Sequence, residues 1–105
     1  MIINQYFEAW NNHDISILKK LFSDKVILED WENKYSGKEN VLIANEQIFL
    51  NEPSIKAKII KVFENKNEYA VEIEVFIDNN KALQVVDVIT LENQLIVCIK
   101  AYVKN

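Results

Sequence analysis

Residues 81–105 read K-A-L-Q-V-V-D-V-I-T-L-E-N-Q-L-I-V-C-I-K-A-Y-V-K-N. Two runs rich in β-branched residues, Leu83–Leu91 and Leu95–Val103, flank the polar turn Glu92-Asn93-Gln94, so the segment reads as a pair of antiparallel strands. Both runs are apolar on both faces, at Val86, Val88, Ile96 and Cys98 as well as at the odd positions. Helices can cover one face. The other requires either a partner subunit or a sheet curved strongly enough to bury both faces within one chain. The first run carries one carboxylate, Asp87, with the same strand parity as Val85 and Ile89. A central strand rarely tolerates an ionised side chain without a partner or a polar cavity. Asp87 is therefore either a structural carboxyl holding a helix amide or a tyrosine hydroxyl, or an acid kept neutral by apolar surroundings that donates to a developing oxyanion.

Working outward, Glu68 to Ile77 alternates Tyr69, Val71, Ile73, Val75 and Ile77 against Glu72 and Glu74, the pattern of a strand with one wet face. Turn chemistry bounds it at Glu64–Asn67 and Asp78–Asn80, and Ile55–Phe63 is the strand before it. Upstream of Pro53 the period changes from 2 to 3.6. Val41, Leu42, Asn45, Ile48 and Phe49 share one face of a helix from Lys38 to Leu50, which the proline terminates. Gly37, the only glycine, marks a backbone need such as a turn before that helix. Val26–Trp31 reads as a short strand and Glu32–Ser36 as irregular. Ile3, Tyr6, Phe7 and Trp10 give residues 1–12 a helical apolar face, and Asp14 is the expected N-cap of a second helix over 15–23, with Ile17, Leu18, Leu21 and Phe22 inward. Helices come first and an antiparallel meander last. The class is α+β, in one domain spanning 1–105.

Composition narrows the function. The formal charge is -4 and no Lys/Arg run exceeds two residues, which argues against nucleic-acid binding. No apolar stretch approaches the roughly 18 residues of a membrane span, and no secretory leader is evident, so the expectation is a soluble cytoplasmic protein. The single cysteine, Cys98, makes no internal disulfide and reads as a small buried hydrophobe rather than a reactive thiol. One histidine and one cysteine leave little for a zinc site. His13, in the link between the first two helices, reads as a solvated loop residue rather than a catalytic base.

Besides Asp87, two polar residues stand where apolar ones are expected. Tyr6 lies on the inner face of the first helix, either as a core ring with its hydroxyl at the rim or as a donor into a cavity. Asp30 ends a strand beside Trp31, either as a turn carboxylate or as a base.

The stretches Q-Y-F-E-A-W-N-N-H-D-I-S-I-L-K-K-L-F-S-D, V-I-L-E-D-W, S-G-K-E-N-V and V-V-D-V-I-T-L-E-N-Q-L-I-V-C-I-K-A-Y together resemble a SnoaL-like member of the nuclear transport factor 2 superfamily, with the ketosteroid isomerases as the nearest functional relatives. The resemblance implies a cone of curved, mixed or antiparallel sheet closed by three helices, an apolar pocket inside, and often a homodimer through the sheet face. It also implies roles. Tyr6 matches the oxyanion-hole tyrosine, Asp30 the general-base aspartate, and Asp87 the protonated aspartate that is the second oxyanion donor. The implied reaction moves a double bond in an unsaturated ketone, with a small apolar molecule as ligand and neither metal nor organic cofactor. The chain departs from the isomerase pattern at Trp31, where proline follows the base, and at Val103, where tryptophan follows A-Y. The alternative function is a non-catalytic module that binds a small ligand or a partner protein. Catalysis requires Tyr6, Asp30 and Asp87 to face one open pocket. A pocket plugged by Trp10, Trp31, Phe49 or Phe76 favours the non-catalytic alternative.

Overall fold

The computed structural model describes residues 1–105. In chain order the elements are α1 (Ile2–Asn11), α2 (Ile15–Leu21), β1 (Phe22–Glu29), β2 (Lys34–Ser36), α3 (Lys38–Asn51), β3 (Lys56–Asn65), β4 (Glu68–Ile77), β5 (Asn80–Glu92) and β6 (Leu95–Val103). The fold is α+β: three helices against one six-stranded sheet of order β2-β1-β6-β5-β4-β3. β3 to β6 form the expected antiparallel meander, while β1 pairs parallel with β6. No helix is long and apolar enough to cross a membrane.

Tight turns set the register of the meander. Asp78 and Asn79 between β4 and β5, and Asn93 and Gln94 between β5 and β6, all have positive φ. That is the backbone of two-residue turns whose twist matches the flanking strands. Irregularities in pairing occur at Ile59/Lys61, Val75/Phe76 and Thr90/Leu91. Each such bulge bends its strand and increases the local twist, which curves the sheet around the helices.

The inner face follows the alternation in the sequence. Tyr69, Val71, Ile73 and Val75 of β4 and Val85 and Ile89 of β5 are buried against Ile3, Tyr6 and Phe7 of α1, Leu18 of α2, and Val41 and Phe49 of α3. Fully buried side chains such as Ile3, Leu18, Phe22 and Ile89 each contribute about 1.5–3 kcal/mol relative to exposure.

β3 is an edge strand, and its outer backbone groups need partners. Asn11, at the end of α1, supplies them. Its side-chain amide donates to the Ala57 carbonyl at 2.8 Å, and its Oδ1 accepts the Ala57 N–H at 2.7 Å. The Lys56 ammonium donates to the Asn11 carbonyl. Two residues later His13, with φ 54°, stacks on Phe49 at 4.2 Å and hydrogen-bonds the Ile55 carbonyl through Nε2 at 2.9 Å. His13 is thus a half-buried clamp between the helix link and the start of the edge strand, not the solvated loop residue expected.

Other local readings are corrected. Asp14 caps α2 as expected, accepting from the Ile17 N–H at 3.0 Å. The helix nevertheless ends at Leu21, because Phe22 is already extended (φ -88°, ψ 138°) and opens β1. Ile17 points outward and is 38 % exposed. Glu32–Ser36 is not wholly irregular, since Lys34–Ser36 pairs with the end of β1. Trp31 lies beyond that strand. Ile96 belongs to the core: the bulge at Thr90/Leu91 leaves Cys98 opposite Thr90 and Ile96 opposite Leu91, so parity changes between Cys98 and Ile96. Cys98 itself is half-buried, with Val88 and the exposed Val86 and Tyr102 on the sheet face no helix covers.

Gly37 holds φ 91°, ψ 147° at the N-cap of α3, while its N–H donates to the Val26 carbonyl at 2.8 Å. Only glycine adopts that conformation without strain. A Cβ there would meet nothing within 4 Å. Gly37→Ala is therefore expected to cost only the backbone term, about 1–3 kcal/mol, read as a lower urea midpoint with unchanged slope.

Candidate functional site

The helices and the curved sheet enclose a cavity of about 300 Å³. Its walls are mostly aliphatic, with Leu28 from β1, Ile48 from α3, Ile55 just before β3 and Ala57 at its start, Ile73 and Val75 from β4, and Val85 and Ile99 from β5 and β6. Tyr6, Asp30 and Asp87 all line this one space. They come from three separated parts of the chain.

Tyr6 is 4 % exposed. Its ring is held edge-on to Phe7 (centroids 4.9 Å, 74°) and tilted on Phe22 (6.1 Å, 48°). Asp87 is 7 % exposed and sits on β5 between Val71 of β4 and Ala101 of β6. Neither the phenol nor the carboxyl hydrogen-bonds a protein group, yet neither is a sealed, unsatisfied atom. Both polar ends open into the cavity. The reading of Asp87 as a carboxyl tied to a helix amide or a tyrosine hydroxyl therefore does not hold.

The surroundings change the acidity of both groups. Burial among apolar side chains disfavours the charged carboxylate and pushes the Asp87 pKa from 3.8 up to about 7. Burial, and then the nearby Asp87, hold the Tyr6 phenol well above its ordinary value. At neutral pH the cavity thus presents a neutral phenol and a carboxyl close to half-protonated.

Asp30 is held differently. Its Oδ1 accepts the backbone N–H groups of Glu32 and Asn33, both at 2.7 Å, and its own N–H donates to the Asn33 carbonyl at 2.9 Å. This is the self-bonded turn that aspartate favours. It ends β1 and leaves Oδ2 without a protein partner, so Asp30 is a turn carboxylate and a cavity residue at once. The same turn places Trp31, 47 % exposed, on the cavity wall.

The aromatic residues that could have plugged the space do not fill it. Trp10 lines the wall, where its Nε1–H donates to Asn45 Oδ1 at 3.0 Å and its ring packs edge-on to Phe49 at 5.2 Å. Phe49 lies behind it, between Trp10 and the His13 ring. Phe76 has the outward parity of β4. Asn45, expected on the apolar face of α3 but not as a site residue, is buried on the cavity wall and also donates to the Val41 carbonyl at 2.9 Å. Its signal was available, as an amide among the apolar positions of α3.

An apolar cavity with a few convergent polar groups, closed by helices on a curved sheet, is the architecture of a small-molecule pocket. The family model for the SnoaL-like domain matches residues 3–99, and the chain belongs to that family. No curated protein matches it. The fold is similar to a nuclear transport factor 2-like protein of unknown function from Cytophaga hutchinsonii, at TM-score 0.85 and 16% identity over 98% of this chain and 87% of that one. It is also similar to a protein from Kribbella flavida proposed to be a ketosteroid isomerase (TM-score 0.86, 14% identity, 99% and 76% covered). A third similar structure is an epoxide hydrolase of M. tuberculosis (TM-score 0.80, 13% identity, 98% and 80% covered). At these identities the likeness establishes the fold alone.

The raised Asp87 acidity constant makes stability depend on pH. The folded state holds the proton more tightly than the unfolded chain, so this contribution is complete below about pH 4 and is lost as pH rises to about 7, levelling above it. Asp87→Asn is expected to remove that slope and to be the more stable form at pH 8.5 by a few kcal/mol, at about 1.4 kcal/mol per pH unit. Urea midpoints across pH 4 to 9 check it.

Proposed function

We propose that the cavity is a general acid–base site for a small unsaturated ketone, in which a double bond is shifted into conjugation. One observation carries this reading: two buried hydrogen-bond donors without protein partners, Tyr6 and protonated Asp87, share an apolar cavity with the carboxylate of Asp30. In this reading the ketone oxygen lies against Tyr6 and Asp87. Asp30 removes the proton on the carbon between the carbonyl and the double bond. The developing dienolate oxygen is stabilised by the two donors in a low-dielectric site, where such bonds count most. Protonated Asp30 then returns the proton to the far end of the dienolate. Atoms and charge balance without a metal or an organic cofactor.

The cavity volume limits the substrate. A cavity of about 150 Å³ holds benzene, so one of twice that volume suits roughly a dozen non-hydrogen atoms. A one- or two-ring ketone fits that allowance better than a four-ring one. The uncovered sheet face, with Val86 and Val88 beside Tyr102, is where a second copy would dock in the same reading.

The test uses cyclohex-3-enone and a ten-carbon bicyclic β,γ-enone, followed by the ultraviolet absorbance of the conjugated product. Asp30→Asn is expected to lower kcat by about 10²–10⁴ and Tyr6→Phe by about 10²–10³. The wild-type rate is expected to fall as pH rises through about 7, because Asp87 then loses the proton it must donate. Turnover unchanged in Asp30→Asn would overturn the catalytic reading. Binding without turnover would favour the non-catalytic module.

A further inference from the structure

Every ionisable group on the cavity wall is acidic. Asp30 and Glu32 come from the turn after β1, Asp87 from β5 and Tyr6 from α1; no lysine, arginine or histidine lines the space. The remaining contributions are uncharged, including Asn45 of α3 and Ala57 of β3. Four aromatic side chains, Tyr6, Phe7, Trp10 and Trp31, stand on the same wall. The carboxylates do not group as a metal-binding cluster, so their field suits a charge spread over an organic cation.

We infer that this cavity also binds a small hydrophobic ammonium ion, with the Asp87 carboxylate as its counter-ion and the aromatic walls as its surroundings. One observation and two physical arguments support it. The Asp87 carboxyl is buried and has no protein partner, so its charge has nothing inside the protein to neutralise it. Aromatic rings carry negative faces that attract a cation, an attraction that grows when water is excluded. A quaternary ammonium has no N–H groups to leave unsatisfied among aliphatic walls, so it enters at lower desolvation cost than a primary amine.

Protonation of Asp87 then selects the ligand. The titratable groups that share the cavity with it are Tyr6 from α1 and, on the turn after β1, Asp30 and Glu32; its neighbours on β4 and β6, Val71 and Ala101, are apolar. No cation holds the carboxylate ionised at low pH. Neutral Asp87 suits a ketone oxygen, and ionised Asp87 suits an ammonium. Because burial sets the changeover near pH 7, the two ligand classes have opposite pH limbs.

Benzyltrimethylammonium and its uncharged carbon isostere, neopentylbenzene, separate charge from shape. Their binding is followed by tryptophan fluorescence, since Trp10 and Trp31 line the cavity, and by calorimetry in buffers of different ionisation enthalpy. At pH 8.5 the ammonium is expected to bind at least tenfold more tightly than the isostere. Its Kd is expected to fall up to tenfold per pH unit below about 7 and then level, with release of up to one proton per ammonium near pH 6. Asp87→Asn should abolish the pH dependence near 7 and lower the preference for charge severalfold while keeping isostere binding. Equal affinities at pH 8.5, or an ammonium Kd independent of pH in the unmutated protein, would overturn the inference. It does not rest on isomerisation: absent enone turnover bears only on the catalytic reading, and absent ammonium binding bears only on this one.

Discussion

The desolvated carboxyl of Asp87 is the constraint on which the centre of the molecule depends. A carboxylate on the inner face of a six-stranded sheet, between Val71 and Ala101, has three physical outcomes: a hydrogen-bonded partner, a neutral proton-bound form, or an opening to a ligand or water. No partner is present, and burial shifts its acidity toward neutrality. The aliphatic walls leave about 300 Å³ in front of it instead of closing over it. A core packed to ordinary density there would strand an unpaired polar group, at a cost comparable with a lost buried hydrogen bond.

The rest of the fold holds that space open. Bulges bend β3, β5 and β6, so the sheet wraps the helices rather than lying flat against them. Asn11 and His13 tie the end of α1 and its link to the first residues of the edge strand, fixing the helix that carries Tyr6. Trp10 is kept on the wall by its bond to Asn45, which is itself bonded back to its own helix. Asp30 uses one oxygen to fold its own turn. Structural bonding and the lining of the cavity therefore fall on the same side chains, and replacing one alters both.

Much of this was legible in local patterns. The alternation through β4 placed Val71, Ile73 and Val75 inward, and the odd positions of β5 placed Asp87 inward with Val85 and Ile89. The spacing of Ile3, Tyr6 and Phe7 put the phenol on the buried face of α1. The SnoaL-like resemblance was carried by the same stretches and anticipated the cone. Readings failed where a single residue's context overruled its class. Ile17 is apolar but lies on the outer side of a seven-residue helix. Ile96 has the outward parity of Cys98 until a bulge reverses it. His13 occupies a polar link but finds Phe49 and the Ile55 carbonyl in space.

The sequence by itself determined where most of the helices and strands lie, which of their faces are apolar, and that an acid and a phenol stand on inner faces, because side-chain periodicity and turn chemistry act within a few residues. Tertiary structure alone decided that Tyr6, Asp30 and Asp87 share one cavity, that Trp10 and Trp31 line it without filling it, and that every ionisable group around it is acidic. Those facts depend on the parallel pairing of β1 with β6 and on bulges that change parity. They join residues some 70 positions apart, and no local period encodes them.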